Sequence, residues 1–171
     1  MSSVNIRINI IMKSIAPSNG YIEPLENITV DNDLLLQEYK DYIEEKMKEA
    51  RGGSGQPLFA LVLPNREVSE LGLMPATRQL VDQIRMVFHF DLATYRVIMP
   101  NYVYTWHVDV PEKPTCIHVP LITNSSNLFI YEDQPPFHMP IDGRAYVVNN
   151  GIFHTFANAS REPRLHLIFN A

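Results

Sequence analysis

From residue 33 to residue 50 the apolar side chains fall at Leu35, Leu36, Tyr39, Ile43, Met47 and Ala50, with charged residues between them. Spacings of three and four gather those side chains on one face of a helix. Asp31, Asn32 or Asp33 can cap its start, because a short polar side chain there accepts from the first turn, and Gly52 and Gly53 end it. The stretch 51–56, Arg-Gly-Gly-Ser-Gly-Gln, reads as an exposed loop or the hinge of a lid. A second amphipathic helix is expected over 75–89, with Leu80, Ile84, Val87 and Phe88 on one face. Pro75 suits its first turn, where a backbone N–H is not needed.

Beyond residue 92 the period changes. Segments 93–99, 103–109, 115–121, 127–131, 144–148 and 163–169 are short, rich in β-branched and aromatic residues, and separated by Pro, Asn, Asp or Gly. Such runs predict strands of a barrel or sandwich, a β core of about 80 residues with two helices packed outside it. Residues 1–92 are read as a mostly helical or irregular flank and 93–171 as the core, together one domain.

Composition narrows the class without naming a chemistry. A 171-residue chain that is 46% apolar can bury a core, and its longest apolar runs, such as 58–63, are far too short to span a bilayer. The first residues show no cationic start followed by a long apolar run, so no secretory signal is expected. The single cysteine, Cys116, cannot pair within the chain, which fits a reducing cytoplasm. Asn-X-Ser/Thr triplets at Asn27, Asn124 and Asn158 are then chance matches. With a net charge of −5 and scattered Lys and Arg there is no basic stripe for a phosphate backbone. The expectation is a soluble, cytoplasmic domain with neither nucleic acid nor membrane as partner; oligomeric state is left open.

Chemistry enters at His107-Val-Asp109. Side chains two apart on a strand point to the same side, so this imidazole and carboxylate can meet one ion. A third ligand from elsewhere would complete two histidines and one carboxylate with open positions, the arrangement of a non-haem iron(II) oxygenase. His138 sits in the Pro-rich 135–140 stretch and reads as loop, and His89 closes a helix. His154 follows the turn Asn149-Asn-Gly-Ile-Phe, and Arg164 follows it by ten positions. A guanidinium there can fix the far carboxylate of a diacid that chelates iron through its 2-oxo acid end, which points to 2-oxoglutarate. Alternation places Arg164, His166 and Ile168 on one strand face and Leu165, Leu167 and Phe169 on the other.

Four blocks in order now resemble a known family: His107-Val-Asp109, Cys116-Ile-His-Val-Pro-Leu-Ile-Thr-Asn124, Val148-Asn-Asn-Gly-Ile-Phe-His-Thr-Phe-Ala-Asn158 and Arg164-Leu-His-Leu-Ile-Phe169. With Tyr95-Arg-Val-Ile-Met-Pro100 upstream, residues 93–170 resemble the aspartyl/asparaginyl β-hydroxylases, the bacterial branch with its proline cis-hydroxylases above all. The resemblance implies a double-stranded β-helix (jelly roll), iron(II), 2-oxoglutarate and O₂. It implies His107, Asp109 and His154 as catalytic metal ligands, Arg164 as the anchor of the 2-oxoglutarate tail, and His118 and Arg96 as neighbours of that co-substrate. Cys116 stands where the family's Arg-X-His-X-Pro-Leu block has arginine, so the pocket is altered, and Arg96 or Arg144 is left to supply the charge. Some eukaryotic members lack the acidic ligand; keeping Asp109 favours a hydroxylase over a halogenase, because a carboxylate fills the halide's position.

The substrate expected is a small molecule or peptide, an amino acid or peptidyl residue, since no accessory domain and no basic amphipathic helix accompany the core. The rivals are a cupin-like metalloenzyme without 2-oxoglutarate, which has no use for Arg164, and a non-enzymatic jelly-roll binding protein, which has no use for three metal ligands.

Overall fold

The computed structural model describes residues 15–49, 56–109 and 114–171. Ala50, Gly52, Gly53 and all of the expected lid hinge except Gln56 lie outside them.

Two antiparallel sheets face each other. The larger has the strand order β1-β8-β6-β10-β4-β2-β3, with β1 Ile22–Thr29, β2 Leu58–Leu63, β3 Arg66–Glu67, β4 Leu92–Ile98, β6 Thr115–Ile122, β8 Arg144–Asn149 and β10 Arg164–Asn170. The smaller runs β5-β9-β7, with β5 Tyr102–Val103, β7 Asn127–Tyr131 and β9 His154–Asn158. This is the mainly β, double-stranded β-helix architecture, with α1 Asn32–Tyr42, α2 Glu44–Met47 and α3 Pro75–Val87 as the α-helices of the described residues and a short 3-10 helix at Ser69–Leu73. No helix among them is long and apolar enough to cross a membrane.

Strand alternation builds two cores. On β6 and β10, Ile117, Val119, Leu121, Leu165, Leu167 and Phe169 turn outward and pack with the buried sides of α1 and α3, including Leu35, Tyr39, Leu80 and Ile84. The opposite faces, with Cys116 and Ile168, meet Phe129, Tyr131 and Phe156 of the small sheet. Pro120 sits in the central strand β6 at no cost to the β8 ladder, which ends at His118↔Tyr146 before the residue without an N–H is reached.

Three expectations change. The flank contributes β1, β2 and β3 to the large sheet. Leu58–Leu63 is a strand without alternation because both its faces are covered, and β1 is an edge strand whose register breaks between Pro24 and Thr29, where Asn27 takes φ 66°. The first helix is two, bent at Ile43 (φ −119°), although Ile43 still donates to Tyr39 and accepts from Met47. The expected strand 103–109 pairs only at Tyr102–Val103 and again at one bridge, His107↔His154.

Candidate metal centre and co-substrate pocket

That bridge makes the site. His107 N–H donates to His154 C=O at 3.0 Å and His154 N–H donates to His107 C=O at 2.9 Å, so the two imidazoles are placed by main-chain pairing. Each uses Nδ1 on the carbonyl two residues before it, Thr105 for His107 and Ile152 for His154, both at 2.8 Å. A carbonyl only accepts, so Nδ1 carries the proton and Nε2 keeps its lone pair for a metal. Asp109 completes the group, its Oδ1 3.3 Å from His107 Nε2, and one ligand atom from each of the three lies within 4.8 Å of the others. His154 is buried and stacked on Phe129 at 5.0 Å, and Tyr104 meets the His107 ring edge-on at 4.7 Å. Burial holds His154 below the usual imidazole range, with His107 adding to it, which keeps the ring in its metal-binding neutral form. Two imidazoles and a carboxylate are a donor set that iron(II) accepts.

The triad opens on a cavity of about 330 Å³, also lined by Arg96, His118, Phe156, Arg164 and His166. Arg164 is 5% exposed, and no carboxylate among the described residues pairs with it. Its guanidinium lies 3.0 Å from both ring nitrogens of His166, yet a neutral imidazole has one lone pair to offer. Burial and the nearby Arg96 pull Arg164 down to about 10, so it is still a cation at neutral pH. Burial first, and Arg164 second, hold His118 and His166 far below the imidazole range, so neither competes for an anion. Arg96 adds a second guanidinium whose Nε is buried without a partner. Two cations facing a cavity with one carboxylate call for an anionic ligand. Arg164 sits over Phe156, which is one residue pair along β9 from His154. That is roughly 7 Å of strand, about the reach of a five-carbon diacid.

The sequence profile of the aspartyl/asparaginyl β-hydroxylases matches residues 26–171. The chain belongs to that family. Solved structures share its fold at low identity. A prolyl-4-hydroxylase from Pseudomonas putida is 14% identical with a TM-score of 0.57, covering 87% of this chain and 91% of its own. A viral collagen prolyl hydroxylase from Paramecium bursaria Chlorella virus-1, solved with 2-oxoglutarate, is 10% identical with a TM-score of 0.58, covering 88% and 94%. A prolyl hydroxylase from Trichoplax adhaerens, solved with a hypoxia-inducible-factor peptide, is 9% identical with a TM-score of 0.56, covering 87% and 82%. No curated protein matches the sequence. The family and the triad together make this an iron(II)- and 2-oxoglutarate-dependent hydroxylase.

In this hydroxylase the fold brings His107, Asp109, His154, Arg164, His118 and Arg96 to one cavity. Arg144 is not among them: it is half exposed and bonded to Asp142, which leaves Arg96 as the second cation. His138 lies in a loop beside Thr123, and His89 is exposed beside Asp91. Sequence reasoning missed Tyr104, Phe129 and Phe156, whose aromatic character reads as ordinary core until the strands are paired. It also leaves open whether Asn149 and Asn150 orient His154 or the substrate, or simply make the turn. Asn149 makes the turn, accepting from Gly151 N–H and donating to Gly20 C=O, whereas Asn150 reaches Asp109.

Proposed function

We propose that His107, Asp109 and His154 hold iron(II), that Arg164 holds the far carboxylate of 2-oxoglutarate with His118 and Arg96 beside it, and that the substrate is an amino acid or peptidyl residue. Bound there, the metal and co-substrate supply the oxidation: the substrate C–H and O₂ with 2-oxoglutarate become C–OH, succinate and CO₂. The chain's own part is placement. Arg164 neutralises and orients a carboxylate with two parallel N–H bonds once it turns from His166. His118, neutral, offers a hydrogen bond without adding charge, and Tyr104, Phe129 and Phe156 keep water from the metal side. The substrate assignment rests on Arg96, a cation beyond the one needed for the co-substrate tail, and on a cavity too small for a large molecule beside 2-oxoglutarate.

One observation carries the reading: a buried guanidinium with no carboxylate partner among the described residues, in the cavity of the triad. A metalloenzyme indifferent to 2-oxoglutarate would bury that charge to no purpose. Iron(II) and 2-oxoglutarate added anaerobically should give a weak visible charge-transfer band, and O₂ should then yield succinate. Arg164→Ala should weaken 2-oxoglutarate binding by about tenfold to a hundredfold, the loss of one charge-assisted hydrogen bond or somewhat more, with metal affinity kept. His107→Ala should abolish metal binding. No band and no succinate with amino-acid and peptide substrates, or equal metal loss in both variants, would sink the assignment.

A further inference from the structure

We infer that Asn150 is the positioning residue of the acidic metal ligand, and that Cys116, at the family's arginine position, is the seat that holds it there. This rests on the metal assignment above. A six-coordinate ion with three protein ligands has three positions left, two for the 2-oxo acid and one for O₂. Asp109 must therefore give one oxygen and withhold the other. Its side chain is 40% exposed, so packing does not fix it. Its two oxygens are nonetheless unlike: Oδ1 faces His107 Nε2 at 3.3 Å, while Oδ2 accepts from Asn150 Nδ2 at 2.7 Å.

Asn150 grips Asp109 twice. Its backbone C=O also accepts from Asp109 N–H at 2.9 Å, so main chain and side chain hold the same residue. The amide cannot be flipped, because a carboxylate only accepts and the group facing it must be the NH₂. The second N–H of that NH₂ points to Cys116 Sγ at 3.1 Å, a buried sulfur. An arginine at 116 would bring donors, not an acceptor, against the same NH₂. Asn150 is only 7% exposed and its Oδ1 is buried with no partner. An amide kept for stability would be satisfied at both ends; this one leaves its oxygen unpaired to keep its nitrogen on Asp109. The backbone supports that aim: Gly151 follows, and a Cβ there would come within 2.5 Å of the Pro114 side chain.

The test is cobalt(II) titration of the metal-free protein, with wild type, Asn150→Ala, the apolar isostere Asn150→Leu, Asp109→Ala and the Asp109→Ala/Asn150→Leu double variant. Loss of the hydrogen bond should weaken cobalt affinity by about tenfold to a hundredfold with the thermal midpoint unchanged or raised. In the Asp109→Ala background, Asn150→Leu should cost nothing more. Wild-type affinity in a folded Asn150 variant, or the same loss with Asp109 already removed, overturns the proposal. If Asn150→Ala does not fold, the isostere decides. His107→Ala separates the two levels: if it binds cobalt as wild type does, the metal assignment fails, and if it does not while Asn150→Leu binds normally, only this inference fails.

Discussion

His118, His166 and Arg164 are buried together around one cavity, and burial disfavours the charged form of each. For the two histidines this ties stability to acidity. Their folded values lie well below the ordinary 6.5, through burial first and Arg164 second, so below that pH the unfolded chain binds protons that the fold refuses. Stability is complete above about pH 6.5 and is lost as pH falls, by up to about 1.4 kcal/mol per pH unit for each imidazole. His154 is depressed too and acts in the same sense. Urea midpoints of the metal-free protein should fall between pH 7.5 and 5.5, with a shallower fall in His166→Asn; a flat profile would show that the imidazoles take up protons as readily in the fold as in the unfolded chain. Residue types and spacing made His107, Asp109, His154 and Arg164 legible, because their chemistry is rare and their order fixed. The partner of Asn150 was not legible, since that depends on which atoms two distant turns bring within 3 Å.

At the scale of elements, α3 starts without a cap of its own: Met74 offers no side-chain acceptor. Glu38 of α1 takes the place, accepting from Ala76 N–H, Thr77 N–H and Thr77 Oγ1 at 2.8, 2.8 and 2.7 Å while nearly fully buried. Glu38→Ala should cost about 2 kcal/mol by chemical denaturation, a lost cap with unsatisfied donors, and leave cobalt affinity unchanged. No sequence pattern announces such a clip, because the acceptor comes from another helix. The helices themselves were readable from period 3.6, and β6, β7, β8 and β10 from their apolar runs and the turn residues around them. Strands β1 to β3 were hidden for opposite reasons: one carries a proline and a left-handed asparagine, another has no polar face to alternate.

The whole molecule sets one layer behind another, helices on the large sheet and the large sheet behind the cavity, with His154 on the small sheet and His107 bridged to it. Resemblance in residues 93–170 was enough to name the architecture, while the family's profile reaches back to residue 26, over helices and edge strands whose composition many folds share. The reciprocal hydrogen bonds of His107 and His154 have a further consequence. Because the backbone already sets these two proposed ligands, the site has little means to refuse a wrong guest. Nickel, copper and zinc bind such nitrogen–oxygen sets more tightly than iron(II), so occupancy follows what the surroundings supply. Protein isolated over a nickel resin should emerge carrying foreign metal and inactive. Chelation should clear it without unfolding, read as an unchanged circular dichroism spectrum, and iron(II) should then restore turnover with no refolding step. For this hydroxylase, fidelity to iron is a matter of metal supply rather than of shape.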